Sequence, residues 1–235
     1  MGKLLLLFTS ALIFGGLVYA QIDGNAYLKN VTHLKQSTIR IQGEKTVYFD
    51  PFRMSSEPHD ADIVFITHTH GDHFSIPDLK KVMKPDTTLF IPADGVDKAK
   101  AEGIQHVIAV APNREFSNQG IKFETIPAYN TNKTFHPKEN NWVGYICTIN
   151  NITYYIAGDT DLIPEMKSIK ADVIFLPVGG TYTMTAKEAA DAANIIHPAV
   201  AVPVHFADVV GTFQDAKDFV SMLDKNIQGV ILKNQ

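Results

Sequence analysis

The chain is 235 residues long, 45% hydrophobic and 20% charged, with a formal net charge of −4. That is ample length for one buried core, which excludes a disordered polyelectrolyte, and an acidic balance without a basic run excludes nucleic acid as an electrostatic partner. A single cysteine, Cys147, excludes both an intramolecular disulfide framework and a thiolate metal cluster.

Residues 1–20 open with Lys3, continue almost unbroken apolar from Leu4 to Val18, and end on Tyr19-Ala20 before Gln21. A basic start, an apolar stretch and small residues at positions 18 and 20 make a signal-peptide pattern. The apolar run is shorter than the roughly 20 residues that a full membrane span needs. The expectation is therefore cleavage after Ala20, one domain over residues 21–235, and an exported protein, periplasmic or extracellular, with no membrane attachment once cleaved.

Residues 45–50 (KTVYFD) read as a strand running out to Asp50, and residues 61–66 (ADIVFI) as a strand buried on both faces. Ser75-Ile76-Pro77-Asp78 then opens a helix with a capping serine, a proline in the first turn and an acidic residue at the positive end of the helix dipole. Leu79, Val82 and Met83 follow at helical spacing. Residues 88–92 form another strand, and a helix over residues 93–103 stops on Gly103. Residues 143–148 read as a strand that buries Cys147 as a small hydrophobe. Residues 152–159 run out to Asp159, and residues 171–176 (ADVIFL) echo 61–66. Thr185-Ala186-Lys187-Glu188 is a capping box for an alanine-rich helix that stops before His197-Pro198. Residues 199–205 form a strand ending on His205, and Thr212 opens a last helix whose apolar stripe, Phe213, Ala216, Phe219, Val220 and Leu223, belongs to the core. Periodicity supports an α/β (α+β) chain of two pseudo-repeated halves, each supplying one sheet. Strands covered by the other sheet on one side and by helices on the other would stack as a four-layer αββα sandwich.

Nine histidines are present, and their distribution is uneven. Thr67-His68-Thr69-His70-Gly71-Asp72-His73 follows directly on a buried strand. Zinc or iron needs several donors converging at about 2.0 to 2.2 Å, and a tight loop at a strand end can bring them together. Alternation sends His68 and His70 to one side, whereas Asp72 and His73 lie beyond the turn that Gly71 permits. Two metals follow, one held by His68 and His70 and the other by Asp72 and His73. His33, His59, His106 and His197 have no second ligand at useful spacing and read as structural or surface residues.

The HxHxDH arrangement resembles the signature of the metallo-β-lactamase superfamily, whose αββα fold agrees with the internal repeat. The resemblance spans nearly all of residues 21–235 and implies three further ligands. His136, in Thr134-Phe135-His136-Pro137-Lys138, matches the third histidine of the first metal site. Asp159, in Ala157-Gly158-Asp159-Thr160, matches the bridging aspartate, and His205, in Val202-Pro203-Val204-His205-Phe206, matches the last histidine of the second site. The segments 129–138 and 142–145 are similar to an uncharacterised subgroup of metal-dependent hydrolases in the broad vicinity of ascorbate-phosphate lactonases. The bridging aspartate and the absence of a cysteine ligand set the chain apart from true β-lactamases.

What the resemblance implies is a metal-dependent hydrolase with two divalent ions, zinc or else manganese or iron. The ions share Asp159 and a bridging hydroxide that attacks an ester, lactone, thioester or phosphodiester. Asp72 would orient that hydroxide. Tyr182, in a loop at the end of a strand, would donate a proton to the leaving group. Lys133 and Lys138 would draw an anionic small-molecule substrate. Asp50, Asp161 and Asp208 read as solvated turn aspartates rather than supports behind the ligands. The alternative is an iron-dependent, dioxygenase-like oxidoreductase, because histidine and carboxylate donors suit iron as well as zinc.

Overall fold

The two apolar repeats become central parallel strands in two separate sheets. A computed structural model describes residues 24–232. The export signal expected over residues 1–20 lies outside the described residues, and among the described residues no helix is long and apolar enough to cross a membrane. The first sheet takes β1 (Val31–His33), β2 (Ile39–Gln42), β3 (Thr46–Phe49), β4 (Ala61–Phe65), β5 (Met83–Pro92) and β6 (Val107–Val110) in that spatial order. β1 to β3 pair antiparallel, and β3 to β6 pair parallel. The second sheet runs in order through β7 (Glu115–Asn118), β8 (Ile121–Pro127), β9 (Val143–Ile149), β10 (Ile152–Ile156), β11 (Val173–Pro177), β12 (Val200–Val204) and β13 (Gln228–Gly229). There too an antiparallel meander, β7 to β10, leads into parallel strands, β10 to β13. Each half supplies one sheet, as the repeat predicts.

Alternation explains why the strands look uniformly apolar. In β4, Ile63 and Phe65 enter the core between the sheets, while Ala61 and Val64 face outward under the helices. In β11, Val173 and Phe175 point inward, and Ile174 and Leu176 outward. Both faces are therefore dry, which a parallel strand covered on both sides requires. Aromatic rings bind the sheets together: Phe65 contacts Phe49 at 5.1 Å, Phe90 at 5.4 Å, Phe123 at 4.7 Å and Tyr145 at 4.7 Å between centroids. Burying one such side chain is worth about 1.5–3 kcal/mol.

Helices α2 (Ile76–Val82) and α3 (Val96–Ala101) cover the first sheet. Helices α4 (Ala186–Ile196) and α5 (Phe213–Ser221) cover the second, completing the αββα order. A short α1 (Gly24–Leu28) precedes β1. The predicted caps form: Ser75 accepts from the Asp78 amide, and Thr185 with Glu188 closes a full capping box. Two details differ from the sequence reading. Met83 does not extend α2 but opens β5. Phe213 is 52% exposed rather than core: it stands on the first helical position, its ring 6.1 Å from that of Phe206 and capped by the Lys217 ammonium at 5.1 Å. The inner part of that stripe, Ala216 and Phe219, is fully buried.

Candidate metal centre

The parallel strands deliver their carboxyl ends to one edge of the sandwich, where side chains from both sheets converge. β4 leads into His68, His70, Asp72 and His73, β10 into Asp159, and β12 into His205, while the loop after β8 carries His136. The convergence needs a close backbone approach. Gly158 adopts φ +65, and a Cβ there would stand 2.8 Å from the Thr67 Cβ. Asp50, His205 and Ala207 also take left-handed conformations despite carrying side chains, the kind of local strain that surrounding structure must hold in place.

Donor atoms fall into three groups whose members lie within 4.8 Å of one another: His68, His70 and His136; His68, His73 and Asp159; and Asp72, His73 and His205. Asp159 stands at the junction. Its carboxylate lies 3.0 Å from His205 Nε2, 3.3 Å from His73 Nε2, 3.4 Å from His136 Nε2 and 3.9 Å from His68 Nε2. Asp72 Oδ2 lies 3.6 Å from His73 Nε2 and 3.7 Å from His205 Nε2. All of these side chains are buried except His70 and Asp72, which are partly exposed.

The rings are oriented by what lies behind them. Thr67 Oγ1 gives its proton to Asp50 Oδ2 at 2.7 Å, so its lone pair must accept from His68 Nδ1–H at 3.0 Å. His73 Nδ1–H donates to the same Asp50 oxygen at 2.8 Å, and the Thr67 amide donates to the other at 2.8 Å. With Nδ1–H engaged behind both rings, it is Nε2 of each that turns toward the cluster, where a cation can take its lone pair. A cation fits this arrangement. His73 Nε2, His136 Nε2, His205 Nε2 and Asp159 Oδ1 are buried without a hydrogen-bond partner, and each such atom costs about 1–3 kcal/mol unless something satisfies it.

Electrostatics point the same way. Burial pulls His73 and His205 down, yet Asp159, helped by Asp50 for His73 and by Asp72 for His205, lifts the first well above the ordinary histidine value and the second to about 9. Burial raises Asp72, but its contacts with His205 and His73 hold it down at about 2. For Asp159, burial is likewise outweighed by His205 and His73, and its carboxyl stays well below the usual range. For His68, burial and the charge of His73 outweigh the upward pull of Asp159, 3.9 Å away, and hold it well below its ordinary value. The cluster therefore keeps its carboxylates ionised and draws in positive charge.

Other expectations change. Asp50 and Asp161 are not solvated turn aspartates: they are 0% and 2% exposed and fully engaged in hydrogen bonds. Asp208 pairs with Arg53 at the surface. Lys133 already holds Asp161 at 2.6 Å, and Lys138 holds Glu165 at 3.3 Å and sits over the Tyr129 ring, so both cations expected to draw an anion already have acidic partners. Tyr182 is half-buried, its ring edge-on to Phe135 at 4.7 Å and its carbonyl bound to Asn130. His33 is buried but bonds to the Gln36 carbonyl rather than to the cluster.

Three residues of the site have no role assigned by the sequence, although Asn130 and Trp142 lie in the two segments that resemble metal-dependent hydrolases. Gln36, left-handed and fully buried, donates from Nε2 to Asp72 at 3.0 Å while its carbonyl accepts the His205 amide at 2.9 Å. Trp142 walls the site, with its ring 5.0 Å from His68 and 4.8 Å from His70 and its Nε1–H donated to Asp94. Asn130 holds His136 from behind.

With this geometry in view, comparison with known proteins is direct. Residues 30–205 match the family described as Beta-lactamase superfamily domain. A UPF0173 metal-dependent hydrolase of Methanopyrus kandleri is 30% identical, over 80% of this chain and 89% of its own length. Another, from Thermococcus onnurineus, is 26% identical over 86% of this chain and 96% of its own. Among solved structures, a protein of Parabacteroides distasonis described as a metal-dependent hydrolase superposes with a TM-score of 0.75 at 30% identity, covering 87% of this chain and 93% of that one.

Proposed function

Because the chain belongs to the β-lactamase superfamily, we propose that it is a metal-dependent hydrolase working at the His/Asp cluster, with two zinc ions and a small ester, lactone, thioester or phosphodiester as substrate. One observation carries this reading: seven imidazole and carboxylate side chains converge at one edge, and several of their donor atoms are buried without a partner. In the reading, His68, His70 and His136 hold one ion, Asp72, His73 and His205 the other, and Asp159 stands between them. Bound cations would supply Lewis acidity toward a carbonyl or phosphoryl oxygen and a water nucleophile effective near neutral pH.

The chain's own groups do the rest. Asp72, steadied by the Gln36 amide, is the partly exposed carboxylate of the cluster and is placed to orient an incoming water. Asp50 engages Nδ1–H of His73 directly and, through Thr67, that of His68, so that both rings turn Nε2 toward the interior. Trp142 keeps water from the His68 and His70 flank. Tyr182 donates a proton to the leaving group. The paired state of Lys133 and Lys138 supports a neutral ester, lactone or thioester better than the anionic phosphodiester.

Metal analysis and turnover together test the reading. Protein purified without chelators is expected to be colourless, to carry close to two zinc per chain, and to cleave at least one member of a panel of lactones, thioesters, esters and phosphodiesters. Iron with visible absorption and no hydrolysis would replace it with the oxidoreductase alternative. The same proposal has the enzyme exported, on the strength of residues 1–20. Recovery from the extracytoplasmic fraction with Gln21 as first residue is expected, and a cytoplasmic protein retaining Met1 would overturn it.

A further inference from the structure

The loop after β8 that carries His136 is irregular up to a 3-10 turn at Lys138–Asn140, yet the ring is more tightly specified than its loop suggests. Asn130 Oδ1 lies 3.0 Å from the His136 amide and 3.1 Å from His136 Nδ1. The Asn130 amide nitrogen faces two groups that can only accept: Asp161 Oδ1 at 3.1 Å and the Tyr182 carbonyl at 3.0 Å. Rotating that amide by half a turn would set its nitrogen against the His136 N–H and its oxygen against a carboxylate and a carbonyl. Every contact would be wrong, so one orientation alone is possible.

The consequence passes to the imidazole. A side-chain oxygen faces Nδ1, so Nδ1 must carry a proton, and Nε2 is the nitrogen turned to the cluster, 3.4 Å from Asp159. Asp161 fixes the far end of the relay. Beyond Asn130 it accepts from the Thr131 amide at 2.8 Å and from Lys133 Nζ at 2.6 Å, and it is buried. The backbone closes the loop on itself, with the Asn130 amide donating to the His136 carbonyl at 2.8 Å.

We propose that Asn130 and Asp161 are positioning residues that lock His136 as its Nδ1–H tautomer and thereby set the affinity with which the His68, His70 and His136 group captures a metal ion. Neither is itself a donor of the cluster: Asn130 acts by holding His136, and Asp161 by holding Asn130. The proposal rests on the reading of this cluster as a metal site. Lys133 acquires a role with it, since its ammonium donates to Asp161 Oδ1 at 2.6 Å and holds that carboxylate in place rather than serving the substrate.

The test uses the full chain, stripped of metal, in the wild type, Asn130→Ala and Asp161→Asn. Two quantities are read: Zn2+ affinity by competition with a chromogenic chelator, and the protonation pattern of the His136 ring nitrogens by 15N NMR of the metal-free protein. Loss of outer supports of this kind typically weakens metal binding about 10- to 100-fold. Asn130→Ala is expected to lose affinity in that range and to give His136 a mixed tautomer pattern, which a merely structural loss would not produce. Asp161→Asn is expected to shift both in the same direction. If Asn130→Ala does not fold, Asp161→Asn, which keeps the volume and leaves Asn130 in place, decides alone. A folded variant with wild-type affinity and a pure Nδ1–H pattern overturns the relay. Absence of zinc uptake by the wild type overturns the metal reading itself, so the two failures are distinct.

Discussion

Asp50 illustrates how much of the site one side chain can organise. Its carboxylate accepts the Thr67 amide, the Thr67 hydroxyl and His73 Nδ1–H, and through Thr67 it sets the tautomer of His68 as well. A carboxylate meets all three because it offers only lone pairs. An amide cannot, since whichever way it turns one of its N–H groups faces another donor. Asp50→Asn is therefore expected to hold its fold but to bind zinc about 10- to 100-fold more weakly, measured by chelator competition, with unchanged affinity counting against the assignment. Nothing in Phe49-Asp50-Pro51 announces this role. The ligands in residues 68–73 are legible because their chemistry is compressed into one loop. Asp50, Gln36 and Asn130 meet their partners 17 or more, 36 and 31 or more residues away respectively, apart from the Asn130–His136 contact itself. Spacing carries no trace of contacts made by tertiary approach.

Elements were most readable where local chemistry and packing agree. The helix after Ser75 follows from its cap and proline, and its position over the first sheet follows from Ile76, Leu79 and Val82. Strands β7 and β8 were not read, because Glu115, Ser117, Lys122 and Glu124 alternate with Phe116 and Phe123 on a half-exposed hairpin that lacks a long apolar run. At α2 the structure adds a tie invisible in the capping pattern. Asp78, read as a first-turn acid, also accepts the backbone amides of Arg53 and Met54 at 2.9 Å each, together with Ser75 Oγ and Lys81 Nζ, so it fastens the loop after β3 to the helix. Burial raises its pKa, but these bonds outweigh burial and hold it below the ordinary 3.8. A carboxylate depressed in the folded state adds stability that is complete above its unfolded value and fades as pH falls through the folded one. Asp78→Asn is expected to cost about 2 kcal/mol at neutral pH, or roughly 4–8 °C in melting temperature. Its deficit against the wild type should narrow in melts taken progressively below pH 3.8. A deficit constant down to strongly acidic pH would assign the effect to shape rather than charge.

At the scale of the whole molecule, the repeat explains why the centre sits where it does and what loading it should do. The first half contributes His68, His70, Asp72 and His73 and the second contributes His136, Asp159 and His205, so every proposed ligand set except Asp72, His73 and His205 meets at Asp159 or His136, and that last set also joins the halves. The sheets are held along their length by the aromatic core around Phe65 and Tyr145. That core does not depend on the edge, so the metal-free chain should stay folded. At the edge, by contrast, buried imidazoles and carboxylates lack partners, and ions bound there would tie one sheet to the other while relieving that cost. Binding to the folded state alone adds about 2.7 kcal/mol when free ligand is 100 times its dissociation constant, which for a chain of this size corresponds to a rise of about 5–10 °C in melting temperature. Calorimetry of chelator-stripped protein should show one cooperative transition without zinc and the same transition displaced upward by that amount with it. Magnesium, which prefers oxygen donors and retains its water, should displace it little. A melting temperature indifferent to zinc would mean that the two halves do not share an ion at this edge, and a stripped protein without a transition would mean that the sandwich depends on the metal for its fold.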